Sequence, residues 1–147
     1  MSIVGIIANP AAGKDIRRMV AQGRFVPNHE KVNILRRVLA GLQSAGTRRV
    51  VMMPDSAMLC RAAIEGCPPE LETDILDMVF FNEEEDSTKA AKIMVQMGAG
   101  AIVTLGGDGT NRAVSKGSGG IPLVPISTGT NNVFPVMVEG TVAGLAA

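Results

Sequence analysis

The sequence predicts an α/β fold, an open parallel sheet of about five strands with helices on both faces, and three observations carry that prediction. Short apolar runs alternate with amphipathic segments, the order in which strands and crossover helices of a parallel sheet follow one another. Turn-forming residues such as Asn9-Pro10 and Pro54 close the runs. Three polar loops then fall at the carboxyl ends of strands one, four and five, where open α/β sheets bind ligands. With 147 residues the chain is one domain's worth and long enough to bury a core.

The first strand is Ile3 to Ala8, ended by Asn9-Pro10 and Gly13. A short helix from about Asp15 to Gln22 follows, then a connection through Gly23 and Pro27. Asn28 can cap the next helix, on which Val32, Leu35, Val38, Leu39 and Leu42 recur at helical spacing as one apolar stripe before Gly46. Arg49 to Met53 is the second strand, and Asp55 or Ser56 caps a helix reaching Glu65. Ile75 to Phe81 is the third strand. The acidic run Glu83-Glu84-Glu85-Asp86 opens a helix from Ser87 to Met97, its charge set favourably against the positive end of the helix dipole. That role accounts for the run without a metal. Gly98 and Gly100 stop the helix, Ala101 to Leu105 is the fourth strand and Leu123 to Ile126 the fifth.

Composition excludes several classes of function. Fourteen basic and fourteen acidic side chains cancel, so net charge gives no reason to expect nucleic acid or an anionic membrane as partner. With no Trp or Tyr and four Phe, there are few rings on which bases could stack. Cys60 and Cys67 have neither CxxC spacing nor a neighbouring His, and read as buried free thiols of a reducing compartment, which puts the protein in the cytoplasm. No charge-poor run reaches the ~18 residues of a membrane span. The opening Met1-Ser2-Ile3-Val4-Gly5 lacks a basic stretch and reads as a strand, not a signal peptide. His29, the single histidine, reads as a capping or surface residue.

The chemistry concentrates in the three loops. They are Asn9-Pro10-Ala11-Ala12-Gly13-Lys14, Gly106-Gly107-Asp108-Gly109-Thr110-Asn111 and Ser127-Thr128-Gly129-Thr130-Asn131-Asn132. Each precedes a helix, so backbone amides and helix-dipole ends would converge on one crevice suited to an anionic group, with Lys14 adding a mobile positive charge. Glycine in the second loop lets the backbone approach a ligand closely. Asp108 among those glycines would repel phosphate unless it binds a metal, accepts a hydroxyl proton or hydrogen-bonds a sugar. Neither GxxxxGK[ST] nor GxGxxG is present, so the chain is not a P-loop protein.

Gly106-Gly107-Asp108-Gly109-Thr110 resembles the signature of the superfamily that joins NAD kinases, diacylglycerol kinases, sphingosine kinases and bacterial lipid-kinase relatives. Asn9-Pro10-Ala11-Ala12-Gly13-Lys14 is similar to the first nucleotide loop of the lipid-kinase branch, and Pro125 to Phe134 to its later P-x-G-T-x-N-x-F segment. Asp15-Ile16-Arg17-Arg18, Asn28-His29-Glu30-Lys31-Val32 and Met53-Pro54-Asp55 look most like NAD-kinase-like proteins of the acetoin-catabolism X type. The fold so implied is Rossmann-like, akin to the N-terminal lobe of NAD kinases and phosphofructokinases.

That resemblance implies ATP-dependent phosphoryl transfer to a hydroxyl, with Mg²⁺ arriving on the nucleotide and no metal held by the protein alone. Asp108 would be the catalytic residue, either as general base at the accepting hydroxyl, as in the NAD-kinase branch, or by organising nucleotide and Mg²⁺, as in the lipid branch. Gly106, Gly107, Gly109 and Thr110 would cradle phosphates. Asn9, Pro10, Gly13 and Lys14 would line the first loop, and Thr128, Gly129, Thr130, Asn131 and Asn132 would close the third. The acceptor stays open between NAD, a lipid and another alcohol, and a non-catalytic nucleotide-binding regulator is the alternative outside the enzymes. Relatives carry a second, β-rich lobe after this one. Residues 1–147 are therefore expected to be the N-terminal nucleotide-binding lobe, inactive alone, and the apolar stretch from Val133 to Ala147 is expected to pack against another lobe or a second copy.

Overall fold

A computed structural model describes residues 3–9, 27–55, 57–66, 70–81 and 83–127. In chain order its elements are β1 (Ile3–Ala8), α1 (Asn28–Ser44), β2 (Arg49–Met52), α2 (Leu59–Ile64), β3 (Glu72–Ile75), α3 (Glu84–Gln96), β4 (Ala101–Gly106), α4 (Asp108–Ser118) and β5 (Leu123–Ser127). All five strands are parallel, in the order β3-β2-β1-β4-β5. The expected helix near 15–22, Ser56 as a cap, Cys67 and the segment from 128 onward lie outside the described residues.

Alternation along the strands divides the core in two, because successive side chains point to opposite faces of a sheet. Val4, Ile6 and Ala8 of β1, Val50 and Met52 of β2, and Val103 and Leu105 of β4 pack with Leu35, Val38, Leu39 and Leu42 of α1 and with Leu59, Cys60 and Ala63 of α2. On the other face Ile7, Val51 and Ile102 meet Ala90, Ala91 and Met94 of α3 and Val114 of α4. The sheet is thus covered on both sides, as the sequence predicts. Among the described residues β5 pairs on one side only, with β4, and Pro125 stands in that edge position, where a missing N–H costs least.

Two glycines stop helices by a shared device. Gly46 (φ 91°) and Gly98 (φ 93°) take the left-handed conformation, and the next residues, Thr47 and Ala99, donate their N–H groups back to Leu42 and Met94 at 3.0 Å.

Several strand ends differ from the sequence reading by a single residue, β2 ending at Met52, β4 at Gly106 and β5 at Ser127, and three differences are larger. The third strand is Glu72–Ile75, not Ile75–Phe81. Its partner β2 is four residues long, so the ladder runs from Arg49 opposite Glu72 to Met52 opposite Ile75 and ends as Leu76 N–H donates to the Met52 carbonyl at 2.8 Å. Leu76 is still buried, but Val79 and Phe81 lie beyond the sheet, 70% and 61% exposed. Helix α3 begins at Glu84, not Ser87: Asp86 turns back to accept the N–H groups of Phe81 and Glu83 at 3.0–3.1 Å, which places the acidic run inside the first turn. Asn28 does not cap α1. Pro27 holds the cap position in extended geometry, and Asn28 is the first helical residue, its Oδ1 without a hydrogen-bond partner. Nor does Asp55 hold the cap position of α2, which falls to Met58 in left-handed conformation (φ 55°), but its Oδ1 still accepts the N–H of the first helical residue, Leu59, at 3.0 Å.

Candidate functional site

The order of the strands locates the crevice. From β1 the chain moves outward through β2 to β3, then returns across the sheet to β4 on the opposite side of β1. The carboxyl ends of β1 and β4 therefore flank the topological switch point, where connections diverge to opposite faces and leave an opening. Asn9 follows β1 there, and Gly106 to Thr110 lie at the end of β4 and the start of α4.

The glycine loop is fixed from beneath. Gly107 holds the cap position of α4 in extended conformation (φ −107°, ψ −163°), and its carbonyl accepts both the Asn111 backbone N–H at 3.1 Å and the Asn111 Nδ2 at 2.9 Å. Asn111 Oδ1 in turn accepts the Thr104 hydroxyl of β4 at 2.6 Å. Both side chains are buried, so this polar pair ties α4 to the strand that carries it. The amides opening α4 are thereby held in place, as an anion-binding helix terminus requires.

Gly106 has a separate reason to lack a side chain. A Cβ there would stand 2.6 Å from Thr110 Oγ1 and 2.7 Å from Thr110 Cβ. Its absence lets Thr110 fold under the loop, where its hydroxyl accepts a hydrogen bond from Asn9 Nδ2 at 3.0 Å. Gly109 faces α3: a Cβ there would lie 3.3 Å from Glu84 Oε1. Asp108 is half-buried in the first turn of α4.

Asn9 joins the elements. Its N–H donates to the Leu105 carbonyl at 2.9 Å, its side chain reaches Thr110, and its carbonyl accepts the Lys31 ammonium of α1 at 3.3 Å.

Of the residues expected at the site, Asn9, Gly106, Gly107, Asp108, Gly109 and Thr110 are brought together. Pro10, Gly13, Lys14, Thr128, Gly129, Thr130, Asn131 and Asn132 lie outside the described residues. His29 is exposed in the first turn of α1, away from any capping position. Cys60 is buried as expected, and burial, with the Asp55 charge adding to it, pushes its thiol well above the usual range. Among the described residues no three His, Cys, Asp or Glu side chains form a metal-binding group, and no helix is long and apolar enough to cross a membrane.

Sequence reasoning missed Lys31 and the Thr104–Asn111 pair. Lys31 carried a signal, since it stands four residues before Leu35 and so continues the apolar stripe of α1, a phase in which a lysine is out of place. Thr104 lay inside an apolar strand with nothing local to mark its partner.

A doubly wound sheet with a Gly-Gly-Asp-Gly-Thr loop at its switch point defines a kinase-like α/β class, and the comparison with known families agrees. The model of the ATP-NAD kinase N-terminal domain matches residues 4–147, and the chain belongs to that family. It is 44% identical over 151 residues to acetoin catabolism protein X of Cupriavidus necator, an alignment covering 98% of this chain. The chain spans 42% of the length of that relative.

Proposed function

We propose that the chain is the nucleotide-binding lobe of an ATP-dependent kinase that transfers a phosphoryl group to the hydroxyl of a small acceptor, in the manner of an NAD kinase. The observation that supports it most is the convergence at the switch point, where the end of β1 and the amino end of α4 meet around a loop kept free of side chains at Gly107 and Gly109. Phosphoryl transfer depends mainly on positioning and charge stabilisation, and a rigidly held set of amides supplies both for a phosphate chain.

In this reading the Gly107, Gly109 and Thr110 backbone faces the phosphates. The Thr110 and Asn9 side chains, already bonded to each other, hold the loop instead of touching ligand. Lys14 and the segment from Thr128 to Asn132 would close the crevice from its other sides. Mg²⁺ would arrive with the nucleotide and neutralise charge on the transferring group. Asp108, half-buried in the first turn of α4, would orient or deprotonate the accepting hydroxyl. The remaining length carried by relatives would complete the acceptor side, and the cytoplasm supplies ATP and magnesium.

The test is transfer of labelled γ-phosphate from ATP to NAD and to other alcohols, in a protein extended to the length of its C. necator relative. Asp108→Asn is expected to keep ATP binding and to lose transfer by at least about a hundredfold, the usual scale for removal of a general base. Full transfer by Asp108→Asn would remove Asp108 from the chemistry. Nucleotide binding with no transfer to any acceptor would favour a regulatory protein.

A further inference from the structure

Lys31 is fully buried, a state in which lysine is rarely found unless something holds it. Stripping water from an ammonium is costly, and an apolar side chain here would extend the stripe of Leu35, Val38 and Leu42. The position is therefore explained by what the ammonium holds. Lys31 donates to the carbonyl of Asn9, whose side chain reaches across to Thr110 of α4. Helices α1 and α4 lie on opposite faces of the sheet, so the chain Lys31–Asn9–Thr110 crosses its carboxyl edge from one layer to the other.

We propose that Lys31 is a positioning residue of the crevice: it pins Asn9, and through Asn9 and Thr110 sets the glycine loop in the geometry that receives a phosphate chain. The role in nucleotide binding rests on the function proposed above, whereas the role in holding the loop does not. Thr110 is wedged against Gly106, so a displaced Asn9 passes directly into the loop. The buried positive charge also lies at the end of β1, against the Asn9 carbonyl.

The test uses Lys31→Met, which keeps length and removes donor and charge, with two readouts. In backbone amide NMR spectra without nucleotide, the signals of Asn9, Gly109 and Thr110 are expected to shift although they belong to other elements. In calorimetric titration with Mg-ATP, affinity is expected to fall about tenfold, as loss of one charge-assisted hydrogen bond implies, and Lys31→Arg to recover most of it. Shifts confined to α1, its packing neighbours and Asn9, with Gly109 and Thr110 unmoved, would overturn the positioning role. Unchanged ATP affinity in folded Lys31→Met would overturn its role in binding. Should Lys31→Met not fold, Lys31→Gln, which keeps a donor and loses the charge, is read in the same two ways. A wild-type chain that binds no ATP would count against the nucleotide reading, and the amide shifts would still decide whether Lys31 sets the loop.

Discussion

The Asn9 side chain donates to the Thr110 hydroxyl at 3.0 Å, across 101 positions of sequence, and so links the end of the first strand to the helix that the glycine loop opens. The link exists because Gly106 leaves room for Thr110 to turn under the loop.

Gly106→Ala is therefore expected to act on the site more than on the fold. The added Cβ, 2.6 Å from Thr110 Oγ1, must push a short side chain out of its place and break the bond to Asn9. Overpacking of this kind costs about 1–3 kcal/mol. The expected outcome is a chain that still unfolds cooperatively on heating yet loses most of its ATP affinity, measured by calorimetry beside a melting curve.

Thr104→Val tests the support beneath the loop. It preserves shape in the strand but leaves Asn111 Oδ1 buried without the hydroxyl that bonds it at 2.6 Å. An orphaned buried acceptor costs about 1–3 kcal/mol. Denaturant unfolding should show the midpoint lowered with an unchanged slope, the mark of lost stability without a change in the surface exposed. Replacing both partners, Thr104→Val with Asn111→Leu, is expected to recover part of that loss.

These residues show what the sequence could disclose. Strands β1, β4 and β5, the apolar stripe of α1 and the glycine loop are visible because burial imposes periodicity and sharp turns require particular residues. Strand β3 was misplaced because the most apolar run, Ile75 to Phe81, continues past the sheet, while the ladder itself is fixed by the length of β2. The partners of Asn9, Thr104 and Lys31 were illegible for another reason. Each contact joins separate elements, and no local pattern encodes which polar atom a distant helix will offer.

Cys60 ties the core to pH. The folded chain holds the thiol proton more tightly than the unfolded chain, since burial first and the Asp55 charge second disfavour the thiolate. Above about pH 8.5, where an exposed thiol ionises, the unfolded state binds fewer protons, so stability falls as pH rises. In a Cys67→Ser background, the urea midpoint should drop more between pH 7 and pH 9.5 than it does with Cys60→Ala added. Iodoacetamide should label Cys60 only under unfolding conditions.

The most direct measurement is calorimetric titration of the chain with Mg-ATP, repeated with Gly107→Val. Gly107 is buried at the cap of α4, with its carbonyl held by Asn111, so a branched side chain there is expected to disturb the loop proposed to receive the phosphates. Saturable binding by the wild type that is lost in a folded Gly107→Val chain is the predicted result, and it would put the nucleotide over the amino end of α4. Equal ATP affinity in the two chains, or no saturable binding by the folded wild type at millimolar ATP, would contradict the account.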